Sequence, residues 1–199
     1  MAGEVDFWFD FASTYAFLSA LRIEQEAARR DVTVRWRPFL LGPIFAAQGW
    51  SDSPFNIYPA KGRYMWRDVE RRAARFGIAF RQPDPAGPRF PQASLLAARA
   101  AFVADAAGQG PAFCKAVFAA EFIDGRDIAE PAVLSEIGDP LGLADLPARA
   151  SSAEIKASLR ANVEEAVGLG LFGAPSFVTR GEMYWGDDRL DDALDWAAA

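Results

Sequence analysis

The chain opens with a strand that runs straight into the start of a helix, and this junction constrains the fold more than any other feature. Val5-Asp6-Phe7-Trp8-Phe9 is rich in aromatics and begins by alternating apolar with polar residues, which predicts a strand. From Ser13 the pattern changes: Tyr15, Leu18, Leu21, Ile23 and an Ala-rich stretch to Arg30 recur at helical spacing. Ser13 or Thr14 is the natural N-cap. Val32 to Phe39 alternates again and is β-branched, so a second strand is expected. Strand, helix and strand in succession make a crossover unit whose two strands lie parallel.

The middle of the chain reads as helical. A short helix or turn is expected at Gly42 to Gln48, and a charged helix from Asn56 to Phe76. A Pro/Gly-rich loop follows over Arg81 to Pro91. Helices are then expected over Gln92 to Ala107, Pro111 to Phe122, Pro131 to Ile137 and Ser151 to Leu169, the last capped by Ser151 or Ser152 with Glu154 in its first turn. Strands return at the end. Gly173-Ala174-Pro175 leads into Ser176 to Thr179, Gly181 marks a turn, and Glu182 to Trp185 pairs back as a hairpin before a closing helix over Leu190 to Trp196.

This order is that of an α/β fold: a thioredoxin-like sheet (βαβ…ββα) with an all-helical insertion between its two halves. The predicted division assigns residues 1–40 and 165–199 to the sheet domain and 41–164 to the insertion. In such folds the X-Pro before the third strand is cis and faces the first helix start; here it is Ala174-Pro175.

Composition removes many chemistries. The 199 residues include one cysteine and no histidine. A CxxC redox pair, a Ser-His-Asp triad, a Cys-His dyad and an ordinary zinc site are therefore all excluded. The net charge is −6 and the pI about 4.8, which leaves no electrostatic footprint for nucleic acid. Charge, Gly and Pro break the apolar runs short of a membrane span, and the N-terminus lacks a leader pattern, so a cytoplasmic protein is expected.

At the first helix start stands Asp10-Phe11-Ala12-Ser13-Thr14-Tyr15-Ala16. Free N–H groups at a helix start stabilise an anion, and a hydroxyl there can donate a further hydrogen bond. With no histidine to take its proton, Ser13 suits donation to an external thiolate better than nucleophilic attack. The competing role is a plain N-cap.

Together with this segment, N-I-Y-P-A-K-G-R-Y-M at Asn56 to Met65, G-A-P-S-F at Gly173 to Phe177 and W-G-D-D-R-L at Trp185 to Leu190 give the chain a specific resemblance. It resembles the 2-hydroxychromene-2-carboxylate isomerases and kappa-class glutathione transferases, of the DsbA-like branch of the thioredoxin superfamily, over nearly its whole length. The resemblance implies glutathione as cofactor, Ser13 as the active-site serine, and Asn56 and Lys61 as glutathione contacts. It also implies backbone contacts from Ala174 beside Pro175, and Asp188 with Asp187 as acids for the γ-glutamyl ammonium. It further implies a homodimer.

These residue types suit a ligand with two carboxylates and one ammonium, although Asp187 and Asp188 could merely cap the last helix and Lys61 could be a solvated surface lysine. The sequence departs from the family pattern at Thr14, where proline is usual, and at Ala174, where a larger aliphatic residue is expected. Tyr58, Tyr64 and Trp66, with Tyr15, are candidate walls for an aromatic substrate. Arg63 and Arg67 are candidates for its carboxylate, or for ion pairs with Asp68 or Glu70. Cys114, among Phe113, Val117 and Phe118, reads as a buried inert thiol.

A free thiol has a pKa near ~8.5. Lowering it by ~2 units takes roughly 2.7 kcal/mol. One hydrogen bond to an anion supplies ~1.5–3 kcal/mol and a helix end ~0.3–1. The resemblance implies as activity the glutathione-dependent conversion of 2-hydroxychromene-2-carboxylate, the cyclic hemiketal of a small aromatic 2-oxo acid, to trans-o-hydroxybenzylidenepyruvate, in aromatic hydrocarbon catabolism. The rivals are a kappa-type transferase, and a silent thioredoxin-like module that binds extended peptide.

Overall fold

The computed structural model describes residues 3–199. Its sheet has four strands, β1 (Gly3–Phe9), β2 (Val32–Pro38), β3 (Ser176–Thr179) and β4 (Glu182–Trp185), in the order β2-β1-β3-β4. β1 and β2 are parallel, while β3 is antiparallel to both β1 and β4. This is the expected thioredoxin-like topology, and it brings the ends of β1 and β4 and the start of β3 to one edge.

Strand alternation divides the core. Val5, Phe7 and Phe9 of β1 and Phe177 of β3 point to one face, where they meet Phe11, Phe17, Phe118 and Phe122. Trp8 points to the other face, with Phe39, Ile44, Ala166 and Leu171. Phe7 stacks between Phe9 and Phe177 at ring distances of 5.1 and 5.6 Å.

Two helices read as continuous are broken. The expected helix from Ser13 to Arg30 is α1 (Thr14–Ala20) and α2 (Ile23–Ala28). At the break Arg22 N bonds Ser19 O at 3.0 Å, a tightened turn, and the Arg22 guanidinium reaches Asp187. The expected helix over Asn56 to Phe76 is α4 (Pro54–Ile57) and α5 (Pro59–Phe76), preceded by α3 (Leu41–Ala47). Pro59 causes that split, because proline forces the preceding residue out of helical backbone and Tyr58 is extended. The two pieces still touch closely: a Cβ on Gly62 would stand 2.3 Å from the Phe55 carbonyl oxygen.

The rest of the insertion comprises α6 (Leu95–Ala106), α7 (Gly110–Phe122), α8 (Pro131–Gly138), α9 (Leu146–Ala150) and α10 (Ala153–Gly168). α9 was not expected; Pro147 in its first turn suits a helix start. α10 runs unbroken through residues 164 and 165, with Val163 and Ala166 packed against the Trp8 cluster. The chain closes with α11 (Leu190–Ala198). No described helix is long and apolar enough to cross a membrane.

Candidate active site

Ser13 lies where β1 passes into α1, and its hydroxyl has two partners. Its oxygen accepts from Ala16 N at 3.2 Å, and its hydrogen goes to the carbonyl oxygen of Ala174 at 2.9 Å. The direction of the second bond is forced, since a carbonyl can only accept. The Ala174-Pro175 peptide is cis, the isomer that thioredoxin-like folds carry before the third strand. Ser13, not Thr14, is the N-cap. Thr14 is buried, its Oγ1 without a partner, so the absence of proline there leaves the helix start intact.

Asp10 holds the loop that presents Ser13, a role the sequence reading missed. Its backbone carbonyl accepts from Ser13 N at 2.9 Å, while its carboxylate accepts from Ala12 N at 3.0 Å and Leu41 N at 2.8 Å. Burial raises its carboxyl above the ordinary range, an effect opposed by these amide donors and Ser94. Glu121 of α7 is buried nearby with both oxygens unpartnered; burial first, then repulsion from Asp10 and Asp127, pushes it well above the usual carboxylate range. The only sequence signal for Glu121 is an acid inside an otherwise apolar helix stripe.

The two acids after β4 separate sharply. Asp187, expected to share an ammonium ligand with Asp188, is instead 2% exposed. Its Oδ1 accepts from Ser19 Oγ at 2.9 Å and from Arg22 at 3.4 Å, and its Oδ2 accepts from Arg72 Nε at 2.7 Å. Two guanidinium groups and a hydroxyl saturate it, so it ties α1, α5 and the turn before α11 together. Asp188 is exposed and pairs with Arg189 at 2.9 Å, leaving it as the acid that faces solvent.

Asn56 and Lys61 are both exposed. The Asn56 amide group donates to Asp52 at 3.2 Å and to the Phe90 carbonyl at 3.1 Å, which leaves its oxygen free. Lys61 Nζ stands 5.6 Å from the centre of the Tyr58 ring. α5 is tied to α1 by Tyr15, whose hydroxyl donates to Asp68 at 3.0 Å. Burial and this carboxylate push the Tyr15 phenol upward, so it stays protonated. Lys61 precedes Asp68 by two helical turns, about 10 Å along the same face.

The aromatic candidates divide. Tyr58 and Tyr64 are exposed, whereas Trp66 is half-buried, edge-on to Phe90 at 4.6 Å. Arg67 pairs with Glu70, and Arg63 is exposed. Cys114 is buried, and burial raises its thiol pKa, as an inert core residue requires.

A family profile for the DSBA-like thioredoxin domain matches residues 4–195. The chain is 28% identical over 197 residues to the 2-hydroxychromene-2-carboxylate isomerase of Sphingobium xenophagum, covering 96% of each. It is 26% identical over 206 residues to glutathione S-transferase kappa 2 of Caenorhabditis elegans, covering 98% of this chain and 91% of that one. Among solved structures, a 2-hydroxychromene-2-carboxylate isomerase superposes with a TM-score of 0.84 at 24% identity, over 98% of this chain and 93% of the other. A four-stranded sheet with this order, a cis-Pro loop bonded to a helix-capping serine, and a profile spanning nearly all residues place the chain in the DSBA-like thioredoxin family.

Proposed function

We propose that the protein is a glutathione-dependent isomerase of conjugated aryl 2-oxo acids, with 2-hydroxychromene-2-carboxylate, the cyclic hemiketal that opens to such an acid, as substrate. The observation that carries this reading is the hydrogen bond between Ser13 Oγ and the Ala174 carbonyl. Both groups are expected to serve the ligand's cysteinyl part, and here they satisfy each other. A ligand offering an amide N–H to the carbonyl and a sulfur to the hydroxyl exchanges one internal bond for two external ones. Ala16 N keeps the serine oxygen anchored while its hydrogen turns.

Bound glutathione would supply a thiolate, the nucleophile for reversible addition to a conjugated double bond. The chain's own part is to hold that charge. The Ser13 hydroxyl donates to it, and Lys61 offers a cation for a ligand carboxylate. The free Asn56 oxygen accepts an N–H, and Asp188 faces the ammonium. Asp10 stabilises the loop behind them without touching the ligand.

The test follows the absorbance of 2-hydroxychromene-2-carboxylate with purified protein freed of carried-over thiol. Conversion that requires added glutathione and leaves total thiol unchanged supports isomerisation. Conversion that consumes thiol into an adduct supports a kappa-type transferase, the second reading, favoured by the 26% identity to the nematode enzyme. Absence of any glutathione-dependent reaction overturns both.

A further inference from the structure

Phe172 and Trp185 touch with both rings exposed. Their centroids are 4.9 Å apart with planes inclined at 62°, and they are 42% and 52% exposed. Among the described residues the other aromatic pairs in contact have at least one member half-buried or buried. Large apolar side chains exposed together mark a binding surface more often than single ones do.

Their place in the fold points to what they bind. β4 runs in the same direction as β1, being two antiparallel steps away, so Trp185 ends its strand at the edge where Ser13 sits. Gly186 N donates to Pro175 O at 3.0 Å, which locks the end of β4 onto the cis-Pro loop. Gly173 is buried beneath the indole, and a Cβ there would stand 2.3 Å from Trp185 Nε1. Only glycine lets the indole rest on the loop. The next residue is Ala174, whose carbonyl holds the Ser13 hydroxyl. Through Gly173 and the Ala174 carbonyl, at ~3.8 Å per residue, the indole edge is therefore within roughly 13 Å of Ser13 Oγ.

We propose that Trp185 and Phe172 form the wall on which the substrate's conjugated aryl ring lies while its double bond faces Ser13. This rests on the isomerase reading and names the residues that select an aromatic acceptor. An indole with one open face suits a planar ring, in offset or edge-to-face contact. The wall therefore stands on the β4 side of Ser13, away from the Tyr58 and Tyr64 side.

The experiment measures the binding of trans-cinnamate, an unreactive planar aryl acid, to wild type, Trp185→Ala, Trp185→Phe and Phe172→Ala, in parallel with KM for the chromene substrate and for glutathione. Trp185→Ala is expected to weaken cinnamate binding and raise the chromene KM about tenfold. Trp185→Phe restores most of both, and KM for glutathione stays unchanged. Equal cinnamate affinity in wild type and Trp185→Ala overturns the proposal, as does a rise in glutathione KM alone. No cinnamate binding by wild type also overturns it. So does a Trp185→Ala variant that changes from dimer to monomer with cinnamate affinity intact, because the surface then belongs to a second copy. Cinnamate binding needs no turnover, so failure of the glutathione reading appears separately, as wild type inactive with glutathione.

Discussion

The Ser13 hydroxyl and the Ala174 carbonyl, 161 residues apart in the chain, are joined by a 2.9 Å hydrogen bond across the edge of the sheet. That contact brings the first helix start and the cis-Pro loop into one site, and Ser13 serves both as cap and as donor. Ser13→Ala removes both functions. Losing a hydrogen bond to an anion costs ~1.5–3 kcal/mol, or about 10- to 150-fold in rate if the bond forms in the transition state. Losing the cap costs ~1 kcal/mol in stability. Steady-state kinetics with thermal melts should show a large rate loss beside a Tm drop of roughly 2–4 °C.

Asp187 accepts from Ser19, Arg22 and Arg72 in a buried cluster. Breaking one side of such a cluster leaves unpaired charge in the interior, at ~3–5 kcal/mol. Asp187→Ala is expected to lose that much stability in a urea melt, whereas Asp188→Ala is expected to change stability by less than ~1 kcal/mol because its pair with Arg189 is exposed. The prediction separates adjacent acids that look equivalent in the sequence.

Glu121 gives a pH dependence with a definite sign. Burial raises its folded pKa, so the folded state holds a proton that the unfolded chain gives up above about pH 4.3. The stability attached to that proton is complete below the unfolded pKa and declines as pH rises toward the folded one. Glu121→Gln cannot ionise. It should match wild type near the unfolded pKa and exceed it in Tm at pH 8. Thermal melts across that range check the widening gap.

Lys61 is exposed and has no carboxylate partner among the described residues. Lys61→Ala should raise KM for glutathione by up to about fivefold, leaving kcat and Tm nearly unchanged, as expected of uniform binding by an exposed charge. Kinetics with varied glutathione at saturating aryl substrate check it.

The order of strands along the chain, the X-Pro before β3 and a helix cap at Ser13 or Thr14 are legible in the sequence because each leaves a local mark: alternation, a proline before a strand, a small polar residue before a helical run. The cis isomer and the choice of Ser13 over Thr14 come from the structure. The split at Pro59 was equally local, yet the charged period on either side masked it. What stayed hidden depends on partners far along the chain. Nothing near Asp187 announces Arg72, and nothing near Asp10 announces that it receives Leu41 N. The same holds for Trp185, whose place over Gly173 follows only from the return of β4 beside the loop.

The central claim is that Ser13 holds the thiol of glutathione as thiolate, and the most direct measurement is the ultraviolet thiolate absorbance of bound glutathione as pH is lowered, in wild type and Ser13→Ala. The account predicts thiolate persisting below pH 7 in wild type, with the titration displaced upward by about 1–2 units in Ser13→Ala. Coincident titrations near the value of free thiol would contradict it.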